Sequence, residues 1–330
     1  MPDDQSALAG AGAPIGRGEA PPGKWQGETY YGRNQVKHAP FNNWVVGGYI
    51  FLAGLSGGAQ ILSTLADLGR GPAAAPTVRR GRYLAMLAPT IGSAMLVWDL
   101  HTPARFYNMF RIFRATSPMS IGTYVLTAFT GFAGLTTAAQ IVEDRSRGTV
   151  RRLARRTAGI AQVPAAIAGA GLATYTAALL SSTSTPLWAA APKSMATRFA
   201  SASVAAGAAA LFLGREDRTA EALQRVALLA LGVELAAGVT QHQAFRVRGV
   251  AAALDGPAGQ AEKGVTVLGT ILPMGLLGAS LLSRRLPSLA NAASVAVMVG
   301  SAALRISIMA AGNESAKRPE ISFAFTEKAR

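Results

Sequence analysis

Residues 44–68 read WVVGGYIFLAGLSGGAQILSTLADL, a run whose one charged side chain, Asp67, is held back to the last turn. A segment of that length and polarity crosses the ~30 Å hydrocarbon layer of a bilayer as a single α-helix, because backbone groups in lipid must bond within their own segment. Runs of the same kind recur at 83–98, 118–142, 158–181, 195–213, 226–241, 264–282 and 289–311. The predicted fold class is therefore all-α, a polytopic membrane helix bundle with about eight transmembrane helices over residues 44–312. A polar arm rich in Gly and Pro (1–43) precedes it and a polar tail (313–330) follows it. The arm lacks the positive start and apolar core of a signal peptide, so it is expected to be an extended arm rather than a cleaved leader.

Charge and composition fit this reading. Half of the 330 residues are apolar, yet the formal charge is +15. In a soluble chain that balance points to nucleic acid; here the arginines border hydrophobic runs, so membrane topology accounts for them and no nucleic-acid partner is expected. The joints after the first, third, fifth and seventh runs carry fifteen Lys and Arg, against seven after the second, fourth and sixth. By the positive-inside rule the richer joints are cytoplasmic and both termini extracytoplasmic. Glycines inside the runs (Gly54, Gly57, Gly58, Gly131, Gly134, Gly169, Gly171, Gly275, Gly278) are expected to let helices approach closely.

The chemistry-bearing residues are few. There is no cysteine, which excludes disulfides, thiolate metal sites and an iron–sulfur cluster held by this chain. The histidines, His38, His101 and His242, each fall near an outward end of a run or outside it. A transmembrane haem needs axial ligands on facing helices, so no haem and no metal is expected. A redox role must then use an organic carrier such as a quinone, with metal centres on another subunit.

Tyr49, Ser56, Gln60, Ser63 and Asp67 share one face of the first run, and Ser120, Thr123 or Tyr124, Thr127, Thr130, Gly134 and Thr137 form a similar row on the third. Two such rows either line a wet or quinone-sized cleft or simply bond back to their own helices. Glu234 and Arg305 lie deeper and must face the interior with partners. They either pair with each other or form steps in a proton path. Glu234, Gly238 and Gln241 share a face leading toward His242, and Arg198 reads as a side chain snorkelling to the interface. The densest polar stretch is the outward joint Asp99-Leu-His101-Thr-Pro-Ala-Arg105-Phe-Tyr-Asn-Met-Phe-Arg111, ending in Arg114 and Ser117-Pro-Met-Ser120. An acid, an imidazole and an arginine just outside a run suit a polar headgroup and proton exchange with it. The same stretch also suits an interfacial anchor, with Trp98, Phe106 and Tyr107 among headgroups and Arg105 and Arg111 on phosphates.

These residues resemble the NrfD/PsrC family, the quinone-interacting integral membrane subunits of polysulfide-reductase-type complexes. The resemblance rests on Tyr30-Tyr31-Gly32-Arg33 through Lys37, Leu55-Ser-Gly-Gly58, Asp67-Leu68, the Asp99–Arg105 joint with Ser117-Pro-Met-Ser120, and Arg305 with Ala311-Gly-Asn-Glu-Ser315. Residues 145–265 match by hydropathy only. The resemblance implies a multi-pass subunit of a bacterial cytoplasmic (inner) membrane whose cofactor is a quinone, menaquinone or ubiquinone. Its expected partners are a ferredoxin-like iron–sulfur subunit docked on the outer face, a molybdopterin catalytic subunit and membrane lipid. In residue terms, Tyr49, Gly57 and Gly58 would form a wall and donor, with Asp99, His101, Arg105 and Tyr124 around the headgroup and His101 with Asp99 as the catalytic proton relay. A proton path would use Gln60, Asp67, Glu234 and Arg305, and Tyr30, Tyr31, Arg33 and Lys37 would meet the partner subunit. The competing readings are a structural anchor for the complex and an ion or small-molecule transporter, the latter drawing weak support from Pro164 and Pro273 inside two runs.

Overall fold

The computed structural model describes Val36, Ala39 and residues 42–99, 103–283 and 287–328, with no strand among them. The helices are α1 (Asn43–Arg70), α2 (Ala75–Asp99), α3 (Pro118–Arg145), α4 (Gly148–Ser181), the single turn α5 (Pro186–Ala189), α6 (Pro192–Phe212), α7 (Arg218–Val247), α8 (Pro257–Val265), α9 (Leu272–Leu282), α10 (Pro287–Lys317) and α11 (Pro319–Lys328). A π-helical turn, Thr266–Ile271, joins α8 to α9 into one continuous crossing.

Local chemistry sets the boundaries. The Asn42 side-chain oxygen accepts from the Trp44 and Val45 amides at 3.0 and 3.4 Å, and Ser117 and Asp217 cap α3 and α7 in the same way. Proline opens α3, α5, α6 and α8, where its missing N–H is not needed. Asn43–Asp99 contains 57 residues, ~85 Å if straight. It folds back at the 3₁₀ turn Gly71–Ala74, where Gly71 takes a φ of +53°. Gly92 then lies against Tyr49, and Gly81 against Ser63, so α1 and α2 run antiparallel. Among the described residues, seven helical runs are long and apolar enough to cross a membrane. With the first divided in two, they make the eight crossings expected from the sequence.

α1 is the central helix, packed against α2, α4, α6 and α10, while α3 covers α2 and α4, and α7 covers α6. Glycine permits the closest approaches. A methyl on Gly57 would stand 2.5 Å from the Gly169 carbonyl oxygen of α4, and one on Gly269 of the π-turn 2.5 Å from Gly300 Cα of α10. Gly131, Gly275 and Gly278, expected to do the same, face open space among the described residues. Large apolar side chains such as Ile160, Ile167, Leu229, Leu268 and Val299 are exposed around the outside, as a lipid-facing surface requires.

Several helices begin earlier than their apolar windows. α2, α4 and α7 start at 75, 148 and 218 because their Arg-rich first turns continue the helix beyond the hydrocarbon layer. The 34 residues of α4 span ~51 Å. Residues after 312, read from sequence as a polar tail, instead extend α10 and add α11, whose Ile321 enters the core. Pro164 lies within an unbroken α4, and Pro273 is the second residue after the π-turn. The extra residue of a π-turn accommodates the hydrogen bond that a proline cannot donate.

Candidate functional site

Two ends of the bundle differ in character. The basic end carries the 71–74 turn, the α3–α4 joint and the α6–α7 joint; the opposite end carries the long α2–α3 joint. At that opposite end α2 stops at Asp99, and a 3₁₀ helix, Pro103–Phe110, leads toward α3. The far half of this joint is tied down. Ser120 Oγ accepts from the Arg114 amide (2.9 Å), the Tyr124 hydroxyl donates to the Phe110 carbonyl (3.2 Å), and the Phe113 and Tyr124 rings meet edge to face at 5.0 Å.

The near half is open. Asp99 is partly exposed and Arg105 exposed, and neither has a hydrogen-bond or ion-pair partner among the described residues. Trp98 (87% exposed), Phe106 and Tyr107 are exposed aromatic side chains of the same stretch. His101 lies outside the described residues, as do Tyr30, Tyr31, Arg33 and Lys37. Tyr49 is buried against Gly92, which stands about 10 Å deeper along α2 than Asp99. Gly57 and Gly58 are taken up by contacts with Gly169 of α4 and with the Ser203 and Val204 backbone of α6. Tyr175, which the sequence reading passed over, fills the notch that Gly122 leaves in α3.

The serine and threonine rows do not meet as a cleft. Ser56, Ser63, Thr123 and Thr127 bond back into their own helices, while Thr137 donates to the Arg82 carbonyl of α2 at 2.7 Å. Gln60 and Asp67, by contrast, belong to a buried network at the basic end. Gln60 Nε2 donates to Thr64 Oγ1 (3.0 Å), Thr64 donates to the Gln162 carbonyl (3.2 Å), and Gln162 Nε2 donates to Asp67 (2.6 Å). At its centre is Arg82, only 3% exposed, donating to Gln140 Oε1 (2.6 Å), Gln162 Oε1 (2.9 Å) and Asp67 (3.2 Å), with Glu143 at 3.9 Å. The sequence reading counted Arg82 only as a topology signal. Its place on the same helical face as Ala85 and Pro89, three and seven positions on, was the available clue that it points inward.

A second network joins α6, α7, α8 and the π-turn. Arg198 contacts Glu262 at 2.6 Å and donates to Gln241 (3.0 Å) and Thr266 (3.2 Å). His242 Nε2 faces Glu262 at 3.2 Å, and its Nδ1 donates to the Gly238 carbonyl at 2.9 Å. This corrects the snorkelling expectation for Arg198: a buried carboxylate from α8 holds the guanidinium inside. Glu234 is buried and accepts from Thr270 at 3.0 Å. Arg198, Glu234, Gly238, His242, Thr266 and Thr270 line one cavity of about 310 Å³, whereas Gln241 is outside its lining and accepts from Arg198.

Arg305, 1% exposed, donates to Ser301 (2.6 Å), Ser203 (2.7 Å) and the Phe199 carbonyl (3.2 Å) and lies over the Phe199 ring. Glu234 and Arg305 therefore do not form the direct pair that was one of the two expectations. Each has its own neutral partners. Thus the four residues of the expected proton path fall into separate groups: Gln60 with Asp67, Glu234 with Arg198, and Arg305 between α1, α6 and α10.

Comparison with known proteins bears on this arrangement. The C subunit of polysulfide reductase from Wolinella succinogenes is 30% identical over 90 residues, a match covering 26% of the present protein and 28% of that relative. The stretch thus spans less than a third of the relative. The family description "Polysulphide reductase, NrfD" matches residues 34–315, which include the α2–α3 joint, both buried networks and every crossing. The chain is a multi-pass membrane protein and belongs to the NrfD family.

Proposed function

We propose that this chain is the membrane subunit of a multi-subunit reductase-type complex, in which it exchanges electrons between the quinone pool and an iron–sulfur subunit docked over the α2–α3 joint. The observation that carries the reading is the joint itself. It is anchored by Ser120 and Tyr124, yet Asp99 and Arg105 have no hydrogen-bond or ion-pair partner among the described residues, in a stretch that also carries the exposed Trp98, Phe106 and Tyr107. The chemistry of that donor set fits a quinone: an arginine donates to a carbonyl oxygen, aromatic surface receives a ring, and a carboxylate beside a histidine passes protons. A quinone, when bound, supplies two-electron chemistry coupled to two protons.

Within this reading Arg105 orients the headgroup, and Asp99 with His101 holds and moves the protons. Tyr124 keeps the joint in place and still has oxygen lone pairs to offer. Tyr49 and the Gly57–Gly58 segment form the deeper wall. The soluble partners are a ferredoxin-like iron–sulfur subunit and a molybdopterin catalytic subunit, met by Tyr30, Tyr31, Arg33 and Lys37. The basic end faces the cytoplasm and the joint faces outward, across a bacterial inner membrane. A proton path through the bundle uses Gln60, Asp67, Glu234 and Arg305, with the two carboxylates as the groups that take up and release protons.

The test is quinol-dependent turnover of the assembled complex. Asp99→Asn, His101→Ala and Arg105→Ala are each expected to lower kcat/KM for quinol at least about tenfold while the iron–sulfur partner stays bound. Unchanged turnover in all three would leave the chain as an anchor.

A further inference from the structure

We infer that the basic end of the bundle holds one anionic membrane phospholipid, its phosphate on Arg70 and Arg218 and an acyl chain in the groove between α4, α6 and α7. Two openings that the proposed function does not use adjoin on one face of α7. The first is a cavity of about 900 Å³ between the turn after α1 and the start of α7, lined by Arg70, Asp217, Arg218, Glu221, Ala222 and Arg225 among others. The second is a groove of about 560 Å³. Thr174 of α4 and Val226, Leu229 and Val233 of α7 form its walls, and Ala196, Ala200 and Val204 of α6 its floor.

Arg225 lines the cavity, and the next residue, Val226, lines the groove. Ala222, Arg225 or Val226, Leu229 and Val233 recur every three or four positions, so they form one stripe along the helix. From Ala222 to Val233 that stripe rises ~16 Å, about half of the ~30 Å hydrocarbon layer. A charged opening at the edge of the layer thus continues as an apolar one to its middle, which is the reach of a lipid in a single leaflet.

The charges of the cavity favour an anion. Its two carboxylates are already engaged, Glu221 by Arg225 at 2.6 Å and Asp217 by Arg215. Arg70 and Arg218 are exposed and have no carboxylate partner among the described residues. Arg70 gives one N–H to the Arg218 carbonyl at 3.2 Å, and a guanidinium has five. That bond, with Arg80 donating to the Leu213 carbonyl at 2.6 Å, holds the end of α1 and the start of α2 against the α6–α7 joint, so the cations are in place before a ligand arrives. A soluble anion would fill only the cavity, and a quinone, which carries no negative charge, only the groove. An anionic phospholipid fills both.

The experiment is native mass spectrometry of the purified full chain in detergent, titrated with phosphatidylglycerol or phosphatidylcholine of identical acyl chains. Wild type is expected to retain one phosphatidylglycerol at least about tenfold more tightly than phosphatidylcholine. Arg70→Gln and Arg218→Gln should each weaken phosphatidylglycerol about fivefold, and together by more than about tenfold. Phosphatidylcholine, whose choline offsets its phosphate, should change by under about twofold in the same variants. Ala200→Phe puts a ring into the groove and should weaken both lipids, which tests the chain without touching the arginines. Equal retention of the two lipids, or a phosphatidylglycerol affinity indifferent to the double arginine variant, overturns the site. So does displacement by inorganic phosphate with no effect of Ala200→Phe, which would make the cavity a site for a soluble anion. Displacement of phosphatidylglycerol by a quinone overturns it as well.

Discussion

Replacing Arg198 by Met tests whether the second network is as buried as described. Arg198 and Glu262 are each 2% exposed and 2.6 Å apart, so the substitution strands a carboxylate inside the bundle. Breaking a buried pair by removing one partner costs about 3–5 kcal/mol. The lower figure applies here, because His242 remains at 3.2 Å and can share a proton with Glu262. For a chain of 330 residues the unfolding entropy is about 0.7 kcal/mol/K, so a loss of about 3 kcal/mol lowers Tm by about 4 °C. Glu262→Gln should cost less, since its amide oxygen still accepts from Arg198. Thermal unfolding in detergent of both single variants and the double variant gives the coupling directly, expected to be at least about 2 kcal/mol. Additivity within about 0.5 kcal/mol, with Arg198→Met shifting Tm by under about 1 °C, would mean that the guanidinium reaches the interface and the network does not form.

The proton path predicts that Asp67→Asn and Glu234→Gln abolish the membrane-potential response of the reconstituted complex while quinol turnover continues; a dye-reported potential that stays intact in both would retire the path. Since the chain has no cysteine, a single cysteine at Arg147 should react with an impermeant thiol reagent only from the cytoplasmic side and one at Thr183 only from outside, and the reverse pattern would invert the topology. Gly57→Leu should lower stability by about 1–3 kcal/mol or more in a melting assay, because its side chain would meet the Gly169 backbone. Deleting residues 1–36 should release the iron–sulfur partner during purification while the crossings still insert.

The architecture was readable from hydropathy because each apolar window needs only its own composition to be recognised. Helix starts were not, since the Arg-rich turns before residues 83, 158 and 226 are helical in water for reasons of continuity rather than apolarity. The polar joint stood out as a motif, whereas the buried networks did not. Arg82 and Arg198 looked like interfacial residues because both lie near the ends of apolar windows. Their partners Gln140, Gln162 and Glu262 come from 58 to 80 positions away, a pairing that periodicity along one helix cannot reveal. Tyr175 was missed because its signal, a lone phenol in an Ala- and Gly-rich helix, is local only to α4, and its place at Gly122 is set by α3.

The central claim is that a quinone headgroup sits at the α2–α3 joint. Photolabelling the purified complex with an azidoquinone, then mapping the modified peptide by mass spectrometry, tests it most directly. The label should fall within residues 98–124, compete with excess quinone and disappear in Arg105→Ala. Competable label confined to α7–α9, around Glu234 and His242, would contradict the account.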